Sequence, residues 1–198
     1  MINFKNQRYK EKKKYMKQTL IVFVQDEPGV LNRVASMIRR RNFNIVSIVA
    51  GRTEQKKITR MTLVLNEPDR TKQKQVVSNL KALIDVYDVV DVTEVKCHIR
   101  EYALVKICVN KTYLDDLKLL FLEGHCRVLD QDEDAMLIEL SGNESNVGSA
   151  IDILNKHDVL ELMRSGKMAM VSGNSDQNKP KLVKSDPNWA TQRLLESY

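Results

Sequence analysis

Gln25-Asp26-Glu27-Pro28-Gly29-Val30-Leu31-Asn32-Arg33-Val34 is the stretch whose reading decides the fold. It follows a run of strand-forming residues, 19–24, and opens an apolar pattern at helical spacing in Val30, Leu31, Val34, Ala35 and Ile38. Apolar residues three and four apart line one face of a helix, so the stretch is a strand-to-helix junction. Pro28 stands at its start, where a fixed φ suits the opening of a helix and the missing N–H is not needed. Gly29 stands at the tightest point, where the absent Cβ lets a ligand or another backbone come close. The first N–H groups of a helix have no partner within it, so such a junction is a ready anion site. A Pro-Gly pair alone is more often a tight turn and nothing more.

Outward from the junction, residues 19–24 are almost continuously apolar, as in a strand buried on both faces. The helix closes on Arg39-Arg40-Arg41-Asn42. Positive charge complements a last turn, and asparagine is the best non-glycine residue for a left-handed cap. Residues 43–50 predict a second strand, 51–57 a polar turn, and 58–65 a third strand with Met61, Leu63 and Leu65 on one face. Asn66-Glu67-Pro68-Asp69 breaks the strand, and Val76, Val77, Leu80, Leu83 and Ile84 mark a second helix. Residues 86–95 are rich in β-branched side chains and predict a fourth strand. The order β-α-β-β-α-β is the ferredoxin-like motif.

The order then repeats. Residues 102–109 predict a strand, and Tyr113, Leu114, Leu117, Leu120 and Phe121 a helix stopped by Gly124. Residues 126–129 and 135–140 predict two strands joined by the acidic turn Gln131-Asp132-Glu133-Asp134. Val147, Ala150, Ile151 and Leu154 form a helical stripe with Asn143 as N-cap. Residues 159–163 and 167–171, interrupted by Ser165-Gly166, close the second unit. An internal repeat of this kind signals two related modules. The expected fold class is therefore α+β, two tandem ferredoxin-like βαββαβ modules. From Ser172 onward the sequence is polar and reads as a flexible tail, with Trp189, Leu194 and Leu195 among its few apolar residues.

Composition narrows the function classes. An apolar fraction of 42% and a charged fraction of 29% over 198 residues are ordinary for a soluble domain pair. The formal charge of +6 suggests a polyanion partner until its place is considered. Residues 1–17 hold Lys5, Arg8, Lys10, Lys12, Lys13, Lys14 and Lys17 against Glu11 alone, which accounts for the whole excess. The body is formally neutral, so the basic arm reads as a solvated extension. No segment has the apolar length of a membrane span, and the N-terminus lacks the apolar core of a signal peptide. Cys97, Cys108 and Cys126 have no framework spacing, which fits a reducing compartment; the expected location is the cytoplasm.

The first module resembles the ACT domain, a small-molecule-sensing ferredoxin-like fold. More narrowly, the chain resembles the regulatory small subunits of acetolactate synthase (acetohydroxyacid synthase). The residues that carry this are Leu20-Ile21-Val22-Phe23-Val24, Glu27-Pro28-Gly29-Val30-Leu31-Asn32-Arg33-Val34, Asn42-Phe43-Asn44-Ile45-Val46-Ser47-Ile48 and Arg60-Met61-Thr62. In the second module they are Arg100-Glu101-Tyr102-Ala103-Leu104-Val105-Lys106 and Glu161-Leu162-Met163-Arg164-Ser165-Gly166. Asp26 stands where the family often has Asn, and Asn42 where it often has Gly. On this reading residues 1–17 are a basic extension, 18–97 the ACT domain, 98–172 the C-terminal ferredoxin-like domain and 173–198 the tail.

The resemblance implies a regulator without catalytic residues. Its partner would be a large catalytic subunit using thiamine diphosphate, magnesium and FAD. Together they would condense pyruvate with pyruvate or 2-oxobutyrate, under feedback by valine or a related branched-chain amino acid. The implied effector site comprises Asp26, Pro28, Gly29, Val30, Leu31, Asn44 and Ile45. N–H groups around Gly29, Val30 and Leu31 would take the effector carboxylate. Asp26 and Asn44 would take its ammonium, and Val30, Leu31 and Ile45 would line an apolar pocket. ACT domains commonly pair side by side, so a homodimer is expected.

Other chemistries have weaker signals. Cys97-His98 and His125-Cys126 offer one ligand each to a common site, because adjacent strand residues face opposite ways. No Cys-x-x-Cys spacing, P-loop, dinucleotide fingerprint or nucleophile triad is present. RNA recognition on this strand order needs stacking aromatics on the central strands, and Phe23 is the only one there. An ACT-type sensor acting on another enzyme or on a transcription complex is the remaining alternative.

Overall fold

The computed structural model describes residues 17–109, 118, 120 and 126–173. The arm before Lys17, the tail beyond Gly173 and most of the helix expected at 113–121 lie outside the described residues. The first module runs β1 (Lys17–Gln25), α1 (Val30–Arg40), β2 (Ile45–Arg52), β3 (Ile58–Asn66), α2 (Arg70–Lys81) and β4 (Val86–Asp91). Its sheet is antiparallel in the order β2-β3-β1-β4. The second runs β5 (Cys97–Cys108), β6 (Cys126–Gln131), β7 (Ala135–Gly142), α3 (Glu144–Leu154), β8 (Val159–Arg164) and β9 (Met168–Val171). Its main sheet has the equivalent order β6-β7-β5-β8. Lys118 and Leu120, between β5 and β6, are helical, and Leu120 is buried in the second core. Both modules are therefore ferredoxin-like, as the repeat predicts.

Each core forms where one sheet face meets its helices. In the first, Leu20, Val22 and Val24 of β1 and Met61, Leu63 and Leu65 of β3 meet Val34 and Ile38 of α1 and Leu80 of α2. Fully burying a leucine or isoleucine contributes roughly 2 kcal/mol, so this interior carries the module. The end of α1 is a complete Schellman motif. The Asn42 N–H donates to Arg39 O at 2.9 Å and the Phe43 N–H to Ile38 O at 3.1 Å. Asn42 has φ +60°, the left-handed conformation expected of it. Phe43 then packs against the core that holds Ile38, the apolar contact that accompanies such caps. At the start of α3, Asn143 Oδ1 accepts from the Asn146 N–H at 2.8 Å, as an N-cap does.

Some boundaries move. Strand β2 continues through Gly51 and Arg52, which read as turn in the sequence. Leu83 and Ile84 lie in the turn after α2, not on it, because α2 ends at Lys81. Strand β4 stops at Asp91, and β5 begins five residues before the expected start at residue 102.

Strand β5 is the structural link between modules. Its 12 residues serve two sheets. Residues 101–108 pair with β7, and the first four, Cys97 to Arg100, pair with β9. Strands β8 and β9 run along β5 in one direction, broken by Gly166 at φ +83°. The β5–β9 ribbon lies on the first sheet's outer face: Ala169, Val171, Cys97 and Ile99 cover Ile21, Phe23, Val90 and Val92. Arg60 seals this contact. Its Nη2 donates to Ala169 O, and its guanidinium carbon lies 6.0 Å from the Phe23 ring centroid. Burial pulls the Arg60 guanidinium below its usual value, opposed by the charge of Glu54. Phe23 is thus packed between modules and not presented for stacking.

Candidate functional site

The junction that opened the chain is a tight turn placed at a helix N-terminus. The Val30 N–H approaches Glu27 O at 3.4 Å, and Gly29 has φ +84° and ψ −10°. Proline at the second and left-handed glycine at the third position are the marks of a type II turn. Pro28 therefore sits in the turn and is not the first helical residue; Gly29 is the N-cap and Val30 the first residue of α1. No side chain caps this helix, and no acidic residue lies in its first turn. The helix bonds begin with the Arg33 N–H donating to Gly29 O at 3.0 Å. The positive pole of α1 is left for a ligand or water.

Arg33, which is not among the expected effector residues, stands against this turn. A Cβ built on Gly29 would lie 3.1 Å from Arg33 Nη1. The guanidinium is held from its other side by Asp85, with Nη2 donating to Oδ1 at 2.8 Å and Nε to Oδ2. The hydrogen bond that Arg33 donates to Asp85 raises its pKa above the usual value. The arginine was legible as a charge in the stretch; its orientation depends on Asp85, which is distant in sequence.

Asp26 turns toward the β2–β3 hairpin. Thr59 Oγ1 donates to its Oδ1 at 3.0 Å, and Arg52 Nε lies 3.4 Å from Oδ2. The Asp26 N–H donates to Lys57 O at 2.9 Å. Arg52 and Thr59 are thus neighbours of the turn that the expected set omitted; the hairpin register brings them there. Leu31 is half exposed beside the turn. Val30 is different: its side chain is buried in the first core and lines no pocket, leaving only its backbone for a ligand.

Asn44 and Ile45 stand apart from the other five expected residues. The Asn66 N–H donates to Asn44 O at 3.0 Å, and Ile45 pairs with Leu65. Asp26 and Gln25 face Lys57 and Ile58, at the opposite end of β3. The nine residues of β3 span roughly 25 Å. Within one chain the structure brings together Asp26, Pro28, Gly29, Val30 and Leu31, and leaves Asn44 and Ile45 at the far end of the sheet.

Among the described residues no group of three or more His, Cys, Asp or Glu side chains is placed to hold a metal ion. His125 lies outside them. Burial raises the Cys97 thiol, against the charge of Lys167, and pushes the Cys126 thiol up to about 11. No described helix is long and apolar enough to cross a membrane.

Comparison with known proteins places this geometry. Residues 20–88 match the family described as "AHAS small subunit-like ACT domain", and residues 100–173 match "Small subunit of acetolactate synthase". A probable acetolactate synthase small subunit of Archaeoglobus fulgidus is 37% identical over 159 residues, covering 80% of this chain and 99% of that protein. The chain belongs to the acetolactate synthase small-subunit family. The small subunit of Mycolicibacterium smegmatis is 33% identical over 155 residues, covering 78% of this chain and 91% of its own length. The solved structure of an acetolactate synthase small subunit from Thermotoga maritima superposes with a TM-score of 0.73 at 27% identity, over 80% of this chain and 98% of that one. The small-subunit family thus accounts for both modules in order, the first being its ACT domain.

Proposed function

We propose that this chain is the regulatory partner of an acetolactate synthase catalytic subunit. It raises that subunit's activity and makes it answer to valine or a related branched-chain amino acid. The single observation that carries the reading is the uncapped α1 N-terminus behind the Gly29 turn, set in an ACT module of this family. An amino-acid carboxylate there would accept from the N–H groups after Gly29 and gain from the helix dipole. Thiamine diphosphate, magnesium and FAD would belong to the catalytic subunit, where the condensation of pyruvate takes place.

The separated residues support a homodimer. Among the described residues, β2 is an edge strand of its sheet, and an edge of this kind is a template for pairing. Antiparallel pairing of two β2 strands about a two-fold axis would set the start of one strand beside the end of the other. Asn44 of a second copy would then lie near Arg52 and its partner Asp26, and Ile45 near the apolar side of the turn. The site would be complete only in the dimer, and effector binding would act on the arrangement of subunits.

The test adds the full chain to the purified catalytic subunit and measures acetolactate formation with and without each branched-chain amino acid. Stimulation, and inhibition by at least one of them, is the expected result. Calorimetric titration of valine into wild type and Gly29→Asp addresses the turn. Loss of affinity in the mutant is expected, since the substitution sets a carboxylate and a Cβ where the ligand carboxylate would lie. Absence of both stimulation and complex formation would remove the proposal, and unchanged affinity in Gly29→Asp would remove the site.

A further inference from the structure

A second cavity lies where the modules meet. It is a cleft of about 440 Å³ at the Lys17–Asn66 end of the first sheet, away from the Gly29 turn. The first module supplies Lys17, Val46, Ser47, Ile48 and Val64; the second supplies Glu101, Glu144, Arg164, Ser165, Gly166 and Lys167. The second module contributes four charged groups, and the first adds Lys17 beside its apolar residues. Arg164 and Glu101 satisfy each other, with Arg164 Nε donating to Glu101 Oε2 at 2.6 Å. Glu144, by contrast, is shared: Lys17 Nζ lies 3.0 Å from Oε1 and Lys167 Nζ 2.5 Å from Oε2. Two ammonium groups on one carboxylate leave a positive charge in the cleft.

Lys167 is where that charge is least comfortable. The residue is only 9% exposed. Its ammonium has three donors, and among the described residues Glu144 is the one carboxylate within ion-pair distance. A buried cation needs full compensation, and half a share of one carboxylate falls short of it. The wall opposite carries exposed Val46 beside the buried Val64, a small apolar surface, while the Ile48 side chain turns to the first core. The cleft is held in shape by a close backbone approach. A Cβ on Gly166 would meet Ser47 Cβ at 2.6 Å, so the link between β8 and β9 lies directly on β2.

We propose that this inter-module cleft binds a small aliphatic monocarboxylate, its carboxylate between Lys17 and Lys167 and its short alkyl group against Val46. The ligand carboxylate completes a square of two ammonium groups and two carboxylates with Glu144. Zwitterionic amino acids fit less well, because their ammonium adds back the charge that the square removes. The site is independent of the Gly29 turn and couples the modules, since Lys17 belongs to one and Lys167 to the other.

The test is a titration of the isotope-labelled full chain, followed by nuclear magnetic resonance, with isobutyrate, isobutyramide and valine as separate probes. Isobutyrate is expected to shift the Val46, Ser47 and Gly166 amides, with isobutyramide at least tenfold weaker. Lys167→Met and Lys17→Met are expected to weaken isobutyrate at least tenfold; Lys17 is exposed enough for its variant to fold normally. Shifts confined to residues 26–31, equal binding of the amide, or undiminished binding in Lys17→Met would overturn the proposal. Because Gly29→Asp leaves the cleft intact, isobutyrate binding should survive in that variant even if the turn fails as an effector site.

Discussion

Asp26 sets the charge beside the Gly29 turn, and its contacts define what a change there does. Thr59 Oγ1 needs only an acceptor, which an asparagine amide oxygen also supplies. Asp26→Asn therefore keeps that bond, and because Arg52 already engages the Asp26 carboxylate, the change relieves more repulsion of an effector carboxylate than it loses in attraction for the ammonium expected there. Valine affinity measured by calorimetry should rise about two- to fivefold, the scale of an exposed charge interaction. Cys126 illustrates the opposite case, a group silenced by its surroundings. With its thiol pushed up to about 11, only about one molecule in a thousand is thiolate at pH 8. Alkylation of Cys126 by iodoacetamide, read by mass spectrometry, should be far slower than that of a free thiol and should accelerate as pH rises toward 11.

At the scale of elements, helix ends carry much of the local specification. Asn42 tolerates its left-handed conformation better than most residues, and alanine there pays the steric cost of a Cβ. Asn42→Ala should lower unfolding free energy by about 1 kcal/mol, whereas Asn42→Gly should match or slightly exceed wild type in urea denaturation. Two carboxylates act similarly at turns. Backbone N–H groups of Lys72 and Thr71 hold Asp69 below its ordinary range, and those of Ala135 and Asp134 do so for Asp132. A depressed folded-state pKa gives stability that is complete above the unfolded value, about 4, and is lost as pH falls through the folded value. Thermal melting temperature should therefore hold above pH 5 and fall below about pH 4. Replacing both aspartates by asparagine should flatten part of that fall.

These same elements show how far the sequence could be read. Alternation in β3 and the stripe in α3 were legible because burial on one face imposes a period, and Asn42 was legible because few residues accept its φ. Leu83 and Ile84 continued the period of α2 although that helix had already stopped; Leu83 packs on the same core from the turn, and Ile84 is exposed. The turn residues of the candidate site were local and readable. The distance between Asn44 and Asp26 was not, because it follows from strand direction: α1 returns the chain to the far end of the sheet before β2 begins. Arg33 and Arg52 were missed for the related reason that their partners are set by register and not by spacing.

At the scale of the whole molecule, Gly166 is the residue on which the modules' fit depends. Its φ of +83° costs an alanine roughly 1–2 kcal/mol, and the Cβ would also strike Ser47. Gly166→Ala should destabilise the protein by about 2 kcal/mol or more in urea unfolding. Adding Ser47→Gly should recover the steric part and leave the backbone part. A cycle with no recovery would show that the contact between the β8–β9 link and β2 does not form.

The sharing of β5 also bears on inheritance. Units that recombine in evolution are normally parted by a linker that can be cut without loss to either side. Here the first four residues of a strand counted with one module roof the other, so a crossover placed at residue 97 would hand each offspring a roof fitted to a different house. Ile21, Phe23, Val90 and Val92 would meet Ala169 and Ile99 from a stranger. The two modules are thereby bound to descend together, and a hybrid of two relatives should fold well only when those facing residues travel from the same parent.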